Sequence, residues 1–223
     1  EDTGEYYSDL LAGYGCTNLV VAGVHTREDA KDAALAETVS TAGGIWFAGG
    51  DQRRITKALL ETPVGTAVAE VFRRGGVVGG TSAGTACQSE LMITGDGDFT
   101  LLTADNVELW PGLGLFEGVI VDQHFVARKR HNRLLSVTLE HPNRLGVGVD
   151  EGTAIWIRPD ETFQVLGKGW VVVYDASNSK IRRGTWDGEE NALGVHGLTT
   201  HILLPGENFD LKTRSVIGEP GCF

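Results

Sequence analysis

The sequence is poor in several features that define whole classes of protein. Its 223 residues include three cysteines, Cys16, Cys87 and Cys222, which are too few for a disulfide framework. A Cys16–Cys222 pair would require the two ends of the chain to meet. Basic residues are not in surplus, since the net charge is −11. Nucleic acid and anionic membranes are therefore not expected partners, because their phosphates would go unneutralised.

Other absences narrow the chemistry and the architecture. No apolar run is long enough for a transmembrane helix. There is no H-E-x-x-H motif and no paired C-x-x-C motif, so we expect neither a metal site nor a cofactor. The chain also lacks internal repeats, low-complexity segments and long linkers, and its length suits one domain. We therefore expect residues 1–223 to form a single α/β domain.

The first half of the chain alternates apolar runs with helical patterns, which is typical of a parallel sheet with helices on both faces. The second half has shorter strands punctuated by Gly and Asp, so we expect an antiparallel C-terminal extension. The predicted strands are 18–24, 44–48, 77–78, 119–121, 145–149, 153–157, 162–166, 170–174 and 198–204. The predicted helices are 6–14, 30–39 after a cap at Thr26, 55–60, 63–75 and 128–140.

The segment around Ser82 carries the most informative motif. Gly80-Thr81-Ser82-Ala83-Gly84 is a G-x-S-x-G pattern, which in an α/β protein indicates a strand, a sharp turn with a nucleophilic serine, and a helix. Bulky side chains two positions from the serine would collide in such a turn. A glycine-rich turn without chemistry is the alternative interpretation, because the chain holds 31 glycines. The apolar run before the motif and the helix start after it favour the nucleophile.

A serine nucleophile needs a base, usually a histidine that a carboxylate orients. His124 is predicted as this base because it ends a buried strand after the serine; the alternative is a structural histidine paired with Asp122 or with the backbone. Asp150 and Glu151 follow another predicted strand, and either could supply the carboxylate or simply form a hairpin turn. The competing histidines are His25, His131, His141, His196 and His201.

Two more groups of residues fit the same chemistry. The glycine-rich segment 49–51 follows a predicted strand, so its backbone N–H groups could bind an oxyanion together with the N–H of Ala83. A simple turn is the alternative. Four basic residues lie within ten positions of His124. Guanidinium groups can bind carboxylates through two hydrogen bonds, although a solvated helix face would look the same. These basic residues are Arg128, Lys129, Arg130 and Arg133.

Several motifs, in the same order, resemble one family. The segment 79–84 resembles the nucleophile turn of the serine peptidase family that contains cyanophycinase and α-aspartyl dipeptidase. The resemblance to the cyanophycinase branch extends from about residue 40 to about residue 215. It is carried by segments 47–52, 122–125 and 148–154, by the spacing of Arg128, Arg130 and Arg133, and by the ending from His201 through 209–211.

The resemblance implies a flavodoxin-like or class I glutamine amidotransferase-like α/β fold and a homodimer. It implies a catalytic triad of Ser82, His124 and Glu151, which makes Asp150 the less favoured acid. The implied oxyanion hole consists of the backbone of Gly50, Asp51 and Ala83. The implied substrate-pocket residues are Gln52, Asp122, Gln123, Arg128, Arg130 and Arg133.

The implied activity is that of a serine exopeptidase that hydrolyses cyanophycin to β-Asp-Arg dipeptides. Cyanophycin is a polyaspartate chain with arginine on each side-chain carboxyl, so the enzyme's arginines would hold aspartate carboxylates and its acidic groups would receive arginine. The alternatives are a peptidase for other aspartyl or isoaspartyl peptides and an inactive binding relative. We expect a cytoplasmic location, or secretion after removal of a signal peptide. Nothing before residue 18 resembles the family's first strand, so we expect that strand to be missing.

Overall fold

The computed structural model describes residues 3–218, and they cluster into two compact units. The first unit covers the chain up to Gln88 together with Pro111–Leu115, and the second covers Ser89–Trp110 and the chain from Phe116 onward. The prediction that residues 1–223 form a single domain stays a prediction. Within the described residues, no helix has both the length and the apolar character that a membrane crossing requires.

The first unit contains a parallel strand pair and several helices. Strand β1 pairs with β2 from Gly44↔Val77 to Phe47↔Gly80, so the serine turn follows one strand and the glycine-rich turn follows the other. The elements are α1 (Thr3–Gly13), a 3-10 turn (Asp29–Lys31), α2 (Ala33–Thr41), β1 (Gly44–Phe47), α3 (Gln52–Leu59), α4 (Pro63–Arg73), β2 (Val77–Gly80) and α5 (Ala83–Ala86).

Local sequence signals explain where these helices begin. Helix α4 starts with Pro63, whose missing N–H costs nothing in the first turn, and the hydroxyl of Thr62 accepts a hydrogen bond from the amide of Gly65 at 3.2 Å. Helix α2 begins later than predicted. Its cap is Asp32, whose carboxylate accepts from the amides of Ala34 and Leu35 at 2.8 and 3.2 Å, whereas the predicted cap Thr26 precedes the 3-10 turn.

The prediction of a buried strand at 18–24 is wrong. Within the described chain, this segment is irregular and most of its residues are exposed, including Val20 at 67% and Val21 at 50%. An apolar run becomes a buried strand only where neighbouring elements cover it and complete its backbone hydrogen bonds. The predicted helix near 6–14 is confirmed as α1, and it ends at Gly13.

The second unit is built mainly from strands around one long helix. The elements are β3 (Leu91–Ile93), β4 (Leu109–Pro111), β5 (Val119–Gln123), α6 (His131–Glu140), β6 (Leu145–Val149), β7 (Thr153–Ile157), β8 (Thr162–Gly167), β9 (Val171–Asp175), β10 (Lys180–Trp186), β11 (Glu189–His196), β12 (Thr199–Leu203), β13 (Asn208–Asp210) and β14 (Ser215–Ile217). The hairpin of β10 and β11, the strands β3 and β4, and the last two strands were not predicted.

Two four-stranded sheets organise this unit. One has the order β12-β9-β6-β5, and the other has the order β14-β13-β8-β7. Strands β5 and β6 are parallel, whereas β6–β9, β9–β12, β7–β8, β8–β13 and β13–β14 are antiparallel. The α/β class is confirmed, but within the units the pairing is mixed, so the expectation of a mainly parallel sheet needs this correction.

Alternating residues on the strands form two cores. Val147 and Val173 pack with Phe163 and Phe209, so the two sheets bury one apolar layer between them. On the opposite face, Leu134 of α6 packs over the first sheet with other buried apolar residues. Strand β6 permits this close approach because its outward positions are glycines: a Cβ atom at residue 146 would lie 2.2 Å from the hydroxyl oxygen of Thr138 in α6.

Two of the three cysteines lie within the described residues. Cys16 is exposed, Cys87 is buried, and both are free thiols. Burial raises the pKa of the Cys87 thiol to about 12, so it is a small apolar side chain at neutral pH. Cys222, and with it the suggested Cys16–Cys222 pair, lies outside the described residues.

Candidate active site

Ser82 lies in a strained turn between β2 and the short helix α5. Its backbone has φ 53° and ψ −113°, a region that non-glycine residues rarely occupy. Such strain persists only where the surrounding structure enforces it, and it concentrates at functional sites. A strained serine between the end of a strand and the start of a helix is the geometry expected of a nucleophile on a strand-to-helix turn.

Two glycines make this turn possible. A Cβ atom on Gly80 would lie 2.3 Å from the carbonyl oxygen of Gly84, and a Cβ atom on Gly84 would lie 2.2 Å from the carbonyl oxygen of Phe47. Both distances are far below a van der Waals contact, so neither position accepts a side chain. The requirement for small residues beside the serine is therefore confirmed, and β1 supplies part of the obstruction.

The glycine-rich segment after β1 lies beside the serine in the same unit. A Cβ atom on Gly49 would lie 3.5 Å from the Cβ atom of Ser82, and Gly50 has φ 127°. The Ala83 amide belongs to the first turn of α5, where N–H groups have no acceptor within the helix. Backbone donors from residues 50, 51 and 83 thus come from segments that border the Ser82 turn.

Asp51 closes the glycine-rich segment as the N-cap of α3. Its carboxylate accepts hydrogen bonds from the amide of Arg53 at 2.8 Å and from its Nε at 3.3 Å. Partial burial opposes ionisation, but the hydrogen bonds from Arg53 outweigh it and hold the pKa of Asp51 below its ordinary value. The neighbouring Gln52 is the first residue of α3 and is buried.

In the second unit, His124 follows the last residue of β5. Its φ is 51°, so it is a second non-glycine residue held in a strained conformation at a strand end. Its Nδ1 atom lies 2.9 Å from Oε1 of Glu151. A Nδ1–H group that donates to this carboxylate leaves Nε2 as the basic nitrogen of the ring, which is the tautomer a general base needs.

The turn after β6 gives its two acidic residues different partners. Glu151 contacts the imidazole and is about half exposed. Asp150 instead accepts backbone hydrogen bonds through Oδ1 from the amides of Val126 and Ala127 at 3.1 and 2.9 Å. Of the two acids that the residues alone leave open, the structure therefore brings Glu151 to the histidine.

Two of the predicted pocket residues form a buried ion pair. Asp122 is 1% exposed and Arg133 is 2% exposed. The Nε of Arg133 donates to Oδ2 of Asp122 at 2.6 Å, and a second guanidinium nitrogen contacts Oδ1. The guanidinium also lies 4.7 Å from the ring centroid of Phe99. This burial gives the pair a supporting position beneath the end of β5 rather than an open surface for ligand.

The other two arginines differ from each other. Arg130 donates to the carbonyl oxygen of Gln123 at 2.6 Å and to its side-chain oxygen at 2.9 Å, so it fixes the residue before His124. Burial, together with the charge of Arg133, lowers the pKa of Arg130, and Asp122 opposes that shift. Arg128 is exposed and is therefore the most accessible guanidinium of the three.

Comparison with known proteins identifies the family. The family model for peptidase family S51 matches residues 1–165. The chain belongs to peptidase family S51. It is accordingly a serine-type peptidase, and it is 35% identical over 215 residues to the cyanophycinase of Trichormus variabilis, covering 96% of this chain and 72% of the relative.

Other relatives agree with this assignment to family S51. The cyanophycinase of Geminocystis herdmanii is 36% identical over 212 residues, which cover 95% of this chain and 78% of the relative. The crystal structure of a peptidase from an acI-B1 Actinobacterium matches with a TM-score of 0.67 at 24% identity, covering 94% of this chain and 78% of that one. At that identity the solved structure supports the α/β fold alone.

Sequence reasoning missed some features of this S51 chain. The strained backbone at His124 was missed, because histidine adopts positive φ more often than most residues but far less often than glycine. The backbone contacts of Asp150 were also missed, because its partners Val126 and Ala127 lie 24 and 23 positions earlier in the chain. Within residues 3–218, no group of three or more His, Cys, Asp and Glu side chains is arranged to hold a metal ion.

Proposed function

We propose that this S51 peptidase is an exopeptidase that hydrolyses cyanophycin, multi-L-arginyl-poly-L-aspartate, to β-Asp-Arg dipeptides through a triad of Ser82, His124 and Glu151. The observation that carries the proposal is the 2.9 Å contact between His124 and Glu151 at adjacent strand ends. The choice of substrate is supported by the relatives named cyanophycinase, which are 35–36% identical over nearly the whole chain.

In this mechanism, Ser82 Oγ bonds to the scissile carbonyl carbon while Nε2 of His124 takes the hydroxyl proton. The resulting imidazolium is stabilised by Glu151. When the tetrahedral intermediate collapses, the carbon–nitrogen bond breaks and the imidazolium returns the proton to the leaving amine. Water, deprotonated by the same imidazole, then attacks the acyl-enzyme and releases Ser82.

The oxyanion would be bound by backbone N–H groups from Gly50 or Asp51 and from Ala83. This part of the proposal rests on the position of the glycine-rich segment beside Ser82 and on the first-turn amide of Ala83. Backbone donors are suitable because they are fixed before the reaction and do not reorganise as charge develops.

The substrate pocket would combine direct and indirect contributions. Arg128 is exposed and could bind an aspartate carboxylate through two hydrogen bonds. Gln52 and Gln123 are mostly buried, and each lies next to a residue assigned to the reaction or to the oxyanion. Arg130, Arg133 and Asp122 would act by holding Gln123 and the end of β5.

The test is digestion of insoluble cyanophycin by the wild-type protein and by Ser82→Ala, with mass analysis of the soluble products. We expect the wild type to release β-Asp-Arg and the variant to lose at least ~10³-fold in rate, since removal of a nucleophile typically costs more than that. Equal release by both proteins would exclude Ser82 as the nucleophile.

The same assay separates the remaining interpretations. If the wild type leaves cyanophycin intact but cleaves other α- or β-linked aspartyl peptides in a Ser82-dependent manner, the peptidase mechanism stands and the substrate assignment is wrong. If ligand binds and Ser82 does not react with serine-directed reagents, the chain is a binding relative.

The expected oligomeric state, cellular location and detailed fold belong to this proposal as well. We propose a homodimer, a cytoplasmic location, and a single flavodoxin-like or class I glutamine amidotransferase-like domain with an antiparallel C-terminal extension. The fold is supported by the parallel pairs β1–β2 and β5–β6 and by the antiparallel strands that follow them. Sedimentation equilibrium tests the oligomeric state.

A further inference from the structure

The segment 124–127 after β5 carries the proposed base on a strained backbone. His124 adopts φ 51°, which costs free energy in any residue with a Cβ atom. The segment holds its shape only if other contacts compensate for that strain. Such contacts come from the end of the neighbouring strand β6 and from the turn after it.

Three contacts attach the segment to β6. The amide of Phe125 donates to the carbonyl oxygen of Val149 at 3.2 Å. The ring of Phe125 packs on Gly148, where a Cβ atom would lie 2.3 Å from the ring. The third contact is electrostatic: Oδ1 of Asp150 accepts the amides of Val126 and Ala127 at 3.1 and 2.9 Å.

Asp150 and Glu151 therefore fix the position of His124 through different groups. Glu151 contacts the imidazole ring, and Asp150 contacts the backbone amides two and three residues after the histidine. A carboxylate that accepts two successive N–H groups makes charge-assisted hydrogen bonds, which are stronger than those of a neutral acceptor. Because the two acids are adjacent, a shift of the segment away from Asp150 also changes the distance from the imidazole to Glu151.

We propose that Asp150 is a positioning residue for His124, which it acts on through the backbone of residues 126–127. The proposal rests on the proposed function of His124 as the general base. It assigns to the second acid of the Asp-Glu pair a role that is neither the triad acid nor a simple hairpin turn.

The first test is kinetic and uses two substitutions. Asp150→Ala removes both hydrogen bonds, so we expect kcat to fall by ~10–100-fold, with KM changing by less than ~3-fold, because a misplaced catalytic group costs rate of that order. Asp150→Asn keeps an oxygen acceptor at the same position, so we expect it to recover kcat to within ~5-fold of wild type. An Asn variant as slow as the Ala variant would overturn the proposal.

Asp210 provides a matched control in the same unit. Its Oδ1 accepts the amides of Lys212 and Thr213 at 2.8 and 2.9 Å, which is the same arrangement in a turn of the C-terminal strands. Asp210→Ala should lower the unfolding midpoint much as Asp150→Ala does and leave kcat unchanged. Equal losses of kcat in the two Ala variants would reduce Asp150 to a structural residue.

A second readout does not depend on activity. We expect Asp150→Ala to accelerate hydrogen exchange at the amides of residues 126 and 127 by at least ~10-fold and to move the NMR signals of the His124 ring, as Glu151→Gln does. Asp210→Ala should change neither. If the wild type releases no dipeptide, the proposed function fails while these measurements still decide the positioning role; unchanged exchange and ring signals in Asp150→Ala would overturn it.

Discussion

At the scale of single residues, the three arginines after β5 make different contacts. Their spacing predicts three equivalent carboxylate ligands, but their surroundings differ. Arg133 is buried against Asp122, Arg130 holds Gln123, and Arg128 is exposed. Spacing along the chain cannot reveal these differences, because they depend on which groups surround each guanidinium in the folded protein.

The buried pair gives a stability prediction. Arg133→Met leaves the Asp122 carboxylate buried without its guanidinium, so we expect the free energy of unfolding in urea to fall by about 3–5 kcal/mol. Asp122→Leu with Arg133→Met should lose less than the sum of the two single changes, because no unpaired charge remains. The exposed Arg182→Met serves as the control, at within about 0.5 kcal/mol. A loss below about 1 kcal/mol for Arg133→Met would show that the pair contributes little.

At the scale of elements, the hairpin of β10 and β11 was not predicted, although the sequence of its turn indicates a hairpin. The two strands are joined by Asp187 and Gly188, with φ 48° and 85°, which fits a type I′ turn. Asp-Gly between two strands is a strong hairpin signal, but β10 and the start of β11 are mostly polar and exposed. The pattern of apolar residues therefore predicts no strand here, whereas the Asp187-Gly188 pair predicts a hairpin.

This turn can be tested by substitution. Gly188→Ala places a Cβ atom at φ 85°, so we expect the free energy of unfolding to fall by about 1–2 kcal/mol, the cost of a left-handed conformation for an L-residue. Gly184→Ala lies in the same hairpin, and its Cβ atom would meet no heavy atom within 4 Å. We expect it to change stability by less than about 0.5 kcal/mol. Equal effects of the two changes would contradict the assigned turn.

Prediction from sequence succeeded where one local signal decides an element. Pro63 marks the start of α4, and the apolar alternation of β6 marks a strand between two cores. It failed at 18–24, where an apolar run stays exposed because burial depends on a partner and not on composition. For the candidate site, residue types and strand ends were predictable. The strained φ of His124 and the contacts of Asp150 were not, because they depend on residues far apart in the sequence.

At the scale of the whole molecule, carboxyl groups whose pKa is lowered in the folded state determine how stability responds to acid. Several carboxyl groups have pKa values below their ordinary values: Asp29, Asp51, Asp98, Asp160, Asp175, Asp210 and Glu90. In Asp175, burial opposes ionisation, but hydrogen bonds from Ser177 and Arg214 outweigh it. A lowered pKa means that the folded state binds protons less readily than the unfolded chain.

These carboxylates therefore stabilise the fold above the pKa of the unfolded groups, which is about 4, and lose that contribution as the pH falls through the folded values. We expect urea midpoints to be level above about pH 5 and to decline steadily below about pH 4. Asp175→Asn should lower stability at pH 7 and make the acid decline shallower. A midpoint that rises on acidification would contradict this assignment.

The Ser82 turn has a consequence for how such an enzyme can change over evolution. The turn is fixed by the absence of side chains at Gly80 and Gly84 and by the carbonyl of Phe47, all of which lie outside the serine itself. Any L-residue at position 82 bears the same backbone strain, so alanine or cysteine fits the frame as serine does. The backbone of the turn and the reactive side chain can therefore change independently. The two glycines admit no substitution, whereas one codon change can replace the side chain at position 82.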